Sequence, residues 1–159
     1  MLAALGVVLL WLGSLVEVVD VSMAVVASLL CVFAVIEYGG GAPWMVFGVT
    51  AILSLILLPQ KTPAAMYAIF FGYYPILKEK IERLPRLGAW LVKEAVFNVA
   101  LVLMLVTSRF LLFSADAPTT YLYLAVALLA EVIFPVYDIA LTRLISFYVY
   151  RLRQRLRLH

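Results

Sequence analysis

Cysteine, histidine and interior charge are all scarce in this chain. There is one cysteine and one histidine in 159 residues. Cys31 lies inside an apolar run, so neither a disulfide nor a thiolate metal site can form within one chain. It reads as a small packing or lipid-facing side chain. His159 closes a basic run and has no acidic or metal-ligating residue near it in sequence. There is no H-E-x-x-H, no G-x-S-x-G, no phosphate-binding P-loop and no D-x-D pair. The expectation is therefore a protein that is no enzyme, with no metal site and no cofactor. Residues 2–16, 21–36, 43–58 and 62–77 carry no charge at all. Between apolar blocks the longest polar stretch is Lys78–Arg86, which leaves no room for a separate soluble module.

What the chain does have is apolar surface. It is 67% hydrophobic, with a mean hydropathy of +1.12 in 17.7 kDa. A water-soluble globule of this size cannot bury so much, so lipid is expected as its solvent and its first partner. Six apolar blocks follow one another: Leu2–Val16, Val21–Ile36, Trp44–Leu58, Ala64–Leu77, Leu87–Phe113 and Thr119–Tyr150. Breaks between them are chemically legible. Glu17 and Asp20 end the first block, three glycines and Pro43 separate the second from the third, and Pro59-Gln60-Lys61-Thr62-Pro63 stops the third. An open sheet cannot satisfy its backbone in hydrocarbon, so each block is expected to be a helix. The predicted fold is an all-α membrane protein, a bundle of six transmembrane helices in a single domain over residues 1–159. The first four blocks are shorter than the roughly 20 residues a full crossing takes. Three alternatives address this: the short blocks sit where the bilayer thins, residues 14–22 dip into the membrane as a re-entrant loop, or a four-helix arrangement merges blocks one and two into an outer hairpin. Residues 1–16 lack a basic leader and a clean cleavage site, which predicts a retained span.

The basic residues set the expected orientation. With six spans both termini share a side. The loops and tail on that side hold Lys78, Lys80, Arg83, Arg86, Arg143, Arg151, Arg153, Arg155 and Arg157, whereas the opposite loops hold only Lys61 and Arg109. Lys and Arg accumulate on the cytoplasmic side of spans. The chain is thus expected in a bacterial cell membrane, multi-pass, with both termini cytoplasmic. The same placement argues against nucleic acid as a partner, despite a pI near 9.1.

Ionisable groups inside apolar blocks are costly and are the first functional candidates. Lys93, Glu94 and Asn98 lie early in block five, with Glu94 and Asn98 on one face at i,i+4. Glu131 and Asp138 share a face of block six. Cross-helix pairing, for instance Lys93 with Asp138, is the plain explanation of these groups, and a proton or substrate role for Glu131 is the functional one. At the opposite face Glu17, Asp20, Arg109 and Tyr121 are candidates for a substrate-binding mouth, with a solvated loop surface as the plain alternative. Ala3, Gly6 and Gly13 place small side chains along one stripe of the first helix, a device for close helix approach, either inside the chain or onto another membrane subunit.

The opening Met1-Leu2-Ala3-Ala4-Leu5 with its small-residue stripe, on a six-block layout, resembles the S-component of energy-coupling factor transporters. Position 8, four after Ala4, is Val8 and departs from the paired-alanine pattern of that first helix. The segment Phe70-Phe71-Gly72-Tyr73-Tyr74-Pro75-Ile76-Leu77-Lys78 also resembles a stretch of small membrane proteins from Gram-positive anaerobes. The S-component resemblance implies a subunit that captures a vitamin-like micronutrient for an ATP-driven importer. Its implied partners are a transmembrane T-component and two ATPase subunits. It implies docking through Ala3, Gly6 and Gly13, and a ligand site near Glu17 and Asp20. The alternatives are a structural or assembly membrane protein without a ligand, and a small proton-coupled carrier.

Overall fold

The computed structural model describes residues 1–15, 19–111 and 120–149, without the side chains of 108–111, 120, 122 and 123. Those residues are helical in six stretches, and no strand occurs among them. The helices are α1 (Leu2–Ser14), α2 (Asp20–Glu37), α3 (Ala42–Leu57), α4 (Thr62–Met66), α5 (Tyr74–Ile81), α6 (Arg86–Leu111) and α7 (Thr120–Phe147). The fourth stretch is broken: α4 passes through a π-helical turn, Tyr67–Phe71, before α5 begins. Two compact units result, Met1–Met104 and Leu105–His159.

The helix ends follow from local chemistry. Gly39 and Gly40 adopt φ of +59° and +55°, a left-handed backbone that residues with a Cβ rarely tolerate. The Tyr38 and Gly39 amides both donate to the Ala34 carbonyl and close α2. Pro43 sits in the first turn of α3, where its missing N–H costs nothing. At the other end of α3 the Lys61 ammonium donates to the Leu58 carbonyl at 2.7 Å and the Ile56 carbonyl at 3.4 Å. Lys61 thereby supplies a cation to the negative end of that helix.

Length separates the helices. Asp20–Glu37, Arg86–Thr107 and Leu124–Phe147 are long and apolar enough to cross a membrane. Helix α2 has 18 residues, because the helical backbone takes in Asp20 and Glu37 at its two ends. It therefore exceeds the short span expected from block two. The shorter apolar helices are α1 and α3, with 13 and 16 residues.

The first unit has a tight apolar centre. Leu10, Ala24, Ala27, Cys31, Ala51, Leu58, Ala64 and Tyr67 form one buried cluster, drawn from α1, α2, α3, α4 and the chain just beyond α3 and α4. Alanine at four of these positions lets the helix backbones come close. Gly6 and Gly13 do the same for α1: a Cβ on Gly6 would sit 2.9 Å from Thr50 Cγ2, and one on Gly13 2.8 Å from Met23 Cβ. The stripe of small residues is thus occupied by α3 and α2 of the same chain. In the second unit, Phe134, Asp138 and Leu141 recur at helical spacing on α7 and are buried, while Leu128, Val132 and Val136 are exposed.

Candidate functional site

Two clusters of polar side chains stand out in the first unit. The first is a charge node at the end of α5. Its sequence signal is the i,i+4 spacing of Lys78 and Glu82, one helical turn apart. The Lys78 ammonium lies 2.7 Å from Glu82 Oε1, and Lys93, eleven residues on in α6, donates to the same oxygen at 3.0 Å. Lys78 is only 1% exposed and Lys93 is buried, whereas Glu82 is 41% exposed. One carboxylate at the rim thus serves two ammonium groups that point inward. Burial alone would raise the Glu82 pKa; the hydrogen bonds from Lys78 and Lys93 and their charges outweigh it and hold the carboxyl below its ordinary range. A second pair, Arg83 with Glu79 at 2.7 Å, lies on the surface beside it.

The second cluster crosses the helices. The Cys31 sulfur and the Tyr67 hydroxyl are 3.0 Å apart, both fully buried. Tyr67 is also hydrogen-bonded to the Thr50 side chain, and Thr50 donates to the Ala3 carbonyl at 3.4 Å. One polar chain therefore links α2, the π-helical turn, α3 and α1. Aromatic rings surround the turn. Phe47 lies 6.0 Å from both Tyr67 and Tyr73, and Phe70 lies 4.8 Å from Tyr74 and 5.4 Å from Phe97 of α6. Gly72 makes this possible, since a Cβ there would be 2.5 Å from Phe47 Cδ2 and 2.8 Å from Tyr67 Cε1.

The residues singled out in the sequence fall in several places. Lys93 belongs to the charge node, with Glu82 as a partner that sequence reasoning missed. Asn98 donates to the Glu94 carbonyl of its own helix at 3.1 Å, and Glu94 is half-buried. Asp138 is buried on α7, where its carbonyl accepts from Thr142 at 2.8 Å. Glu131 is half-buried on the same helix. Asp20 is buried in the first turn of α2. Tyr121 is 83% exposed at the start of α7. The backbone of Arg109 is helical within α6, and Glu17 lies outside the described residues. Gly6 and Gly13 are packing positions, and Ala3 contributes its carbonyl to Thr50. Cys31 and Tyr67 were legible only as apolar-block residues, because their pairing joins positions 36 apart. Among the described residues no group of acidic, histidine and cysteine side chains could hold a metal ion. No family model, curated protein or solved structure matches the chain.

Proposed function

We propose that the chain is a multi-pass protein of a bacterial cell membrane, with both termini in the cytoplasm, whose polar groups hold its helices together as a structural or assembly subunit. The observation that carries the membrane part is the set of three helices of spanning length and apolarity. It is supported by the outward side chains Met45, Ile52, Ile56, Leu91, Val102, Leu128 and Val132, all more than half exposed. In water such a surface would be an aggregation hazard; in lipid it is solvated. The packing role is supported by what the polar groups touch. Lys78, Lys93 and Glu82 join α5 to α6, and Cys31, Tyr67 and Thr50 join the helices before them.

A second reading, capture of a vitamin-like substrate for an ATP-driven importer with T-component and ATPase partners, is favoured by one observation. Asp20 is a buried carboxylate at the expected outer end of α2, where a cationic or amine group would be recognised. Native mass spectrometry of the gently extracted protein separates the two. The structural role predicts the bare mass of the chain for the parent and for Asp20→Asn. A small molecule retained by the parent and lost from Asp20→Asn would replace that role with substrate capture.

A further inference from the structure

The connection between α5 and α6 carries a surface with its own chemistry. Every side chain from Glu82 to Leu87 is exposed. The segment Lys78–Arg86 holds four basic residues and two acidic ones. Both acidic residues are engaged locally, Glu79 by Arg83 and Glu82 by Lys78 and Lys93. Lys80 and Arg86 remain exposed, with no ion-pair partner among the described residues. Next to them stand exposed apolar side chains: Leu84, Leu87, Trp90 and Leu91. Arg86 and Trp90 are one turn apart on α6, as are Leu87 and Leu91.

Cations beside a tryptophan and bulky aliphatic groups match the boundary between hydrocarbon and headgroups. Trp favours that depth, and cations there are attracted to anionic lipid. A leaflet also accommodates Leu87 and Leu91 as hydrocarbon. We infer that Lys80, Arg86 and Trp90 form a contact site for the phosphate of anionic phospholipid headgroups in the leaflet facing this segment. The inference rests on the membrane assignment proposed above and goes beyond it by naming the lipid class and the residues. A zwitterionic headgroup carries its own compensating amine and gains less from the two cations. The preference is electrostatic and exposed, so salt should weaken it.

The test uses the full chain with Trp11→Phe and Trp44→Phe, which leaves Trp90 as the sole tryptophan. It is reconstituted into phosphatidylcholine vesicles containing a minor fraction of either brominated phosphatidylglycerol or brominated phosphatidylcholine. Trp90 fluorescence should be quenched preferentially by the phosphatidylglycerol, with an apparent preference of about fivefold. That preference should fall towards unity in Lys80→Gln with Arg86→Gln, and in the parent at high salt. Both substituted side chains are exposed and outside ion pairs, so the thermal midpoint should not move; if the variant fails to fold, the salt series on the parent decides alone. Equal quenching by the two lipids, or a preference that survives both the substitutions and salt, would overturn the lipid site while leaving the membrane assignment standing. Absence of quenching by either lipid would overturn both.

Discussion

Glu82 bears the largest consequence per atom. Its carboxyl is held below the ordinary range by the two lysines, and a lowered carboxylate pKa stabilises the fold only while the group is ionised. That stability is complete above the unfolded value, about 4.3, and is lost as pH falls through the lower folded value. The thermal midpoint in a fixed detergent should therefore drop over that acid window, and Glu82→Gln should remove this component of the drop. At neutral pH the same substitution should cost about 1–2 kcal/mol, less than a fully buried pair because Glu82 is 41% exposed. An unchanged midpoint and an unchanged acid profile would show that the node is not structural. Glycines give a second contrast. Gly72→Ala pushes a Cβ into the rings of Phe47 and Tyr67 and should cost about 1–3 kcal/mol. At Gly48, inside α3, a Cβ would meet nothing within 4 Å, and Ala there should leave stability unchanged or raise it by up to about 1 kcal/mol through helix propensity. Thermal midpoints of the two variants moving in the same direction and by the same amount would contradict this packing. At this scale the sequence shows Lys78 and Glu82 one turn apart, but not that Lys93 shares their oxygen, since that contact depends on how the chain turns at Pro85.

Among the elements, the stretch Tyr67–Tyr74 organises the first unit. Its sequence reads simply as an aromatic end to an apolar block with Gly72 and Pro75 as breakers. The structure turns it into a π-helical turn whose rings reach α3 on one side and α6 on the other. The turn carries the Tyr67 hydroxyl to Cys31 and Thr50, so Tyr67→Phe should lower stability by about 1 kcal/mol. Thermal unfolding of that variant next to Tyr74→Phe is the check, and equal midpoints for Tyr67→Phe and the parent would show the hydroxyl contributes nothing. Block boundaries were legible because charges, glycines and prolines punctuate them: Gly39 and Gly40 close α2, and Pro43 opens α3. The π-helical turn was not, because a one-residue change in hydrogen-bond register leaves no compositional mark. Nor did composition distinguish α2 from α1: Asp20 and Glu37 look like block ends but belong to the helix. The Gly6 and Gly13 stripe was legible as a close-approach face, while its partners, Thr50 and Met23, follow only from the packing.

For the molecule as a whole, apolar composition and the distribution of Lys and Arg carry the membrane proposal. The interior polar contacts give it a packing role. The candidate site was less legible than the fold, since Asp20, Arg109 and Tyr121 were selected by position along the chain and not by any motif. The central claim is that the chain crosses a membrane with the α5–α6 connection inside. Its most direct test is cysteine accessibility in intact bacterial cells, with Cys31→Ser removing background while keeping a hydroxyl for Tyr67. A cysteine at Gln60, exposed after α3, should react with an impermeant maleimide in intact cells. One at Lys80, exposed on α5, should react only after the membrane is opened. Labelling of Lys80→Cys in intact cells, whether alone or equally with Gln60→Cys, would contradict the account.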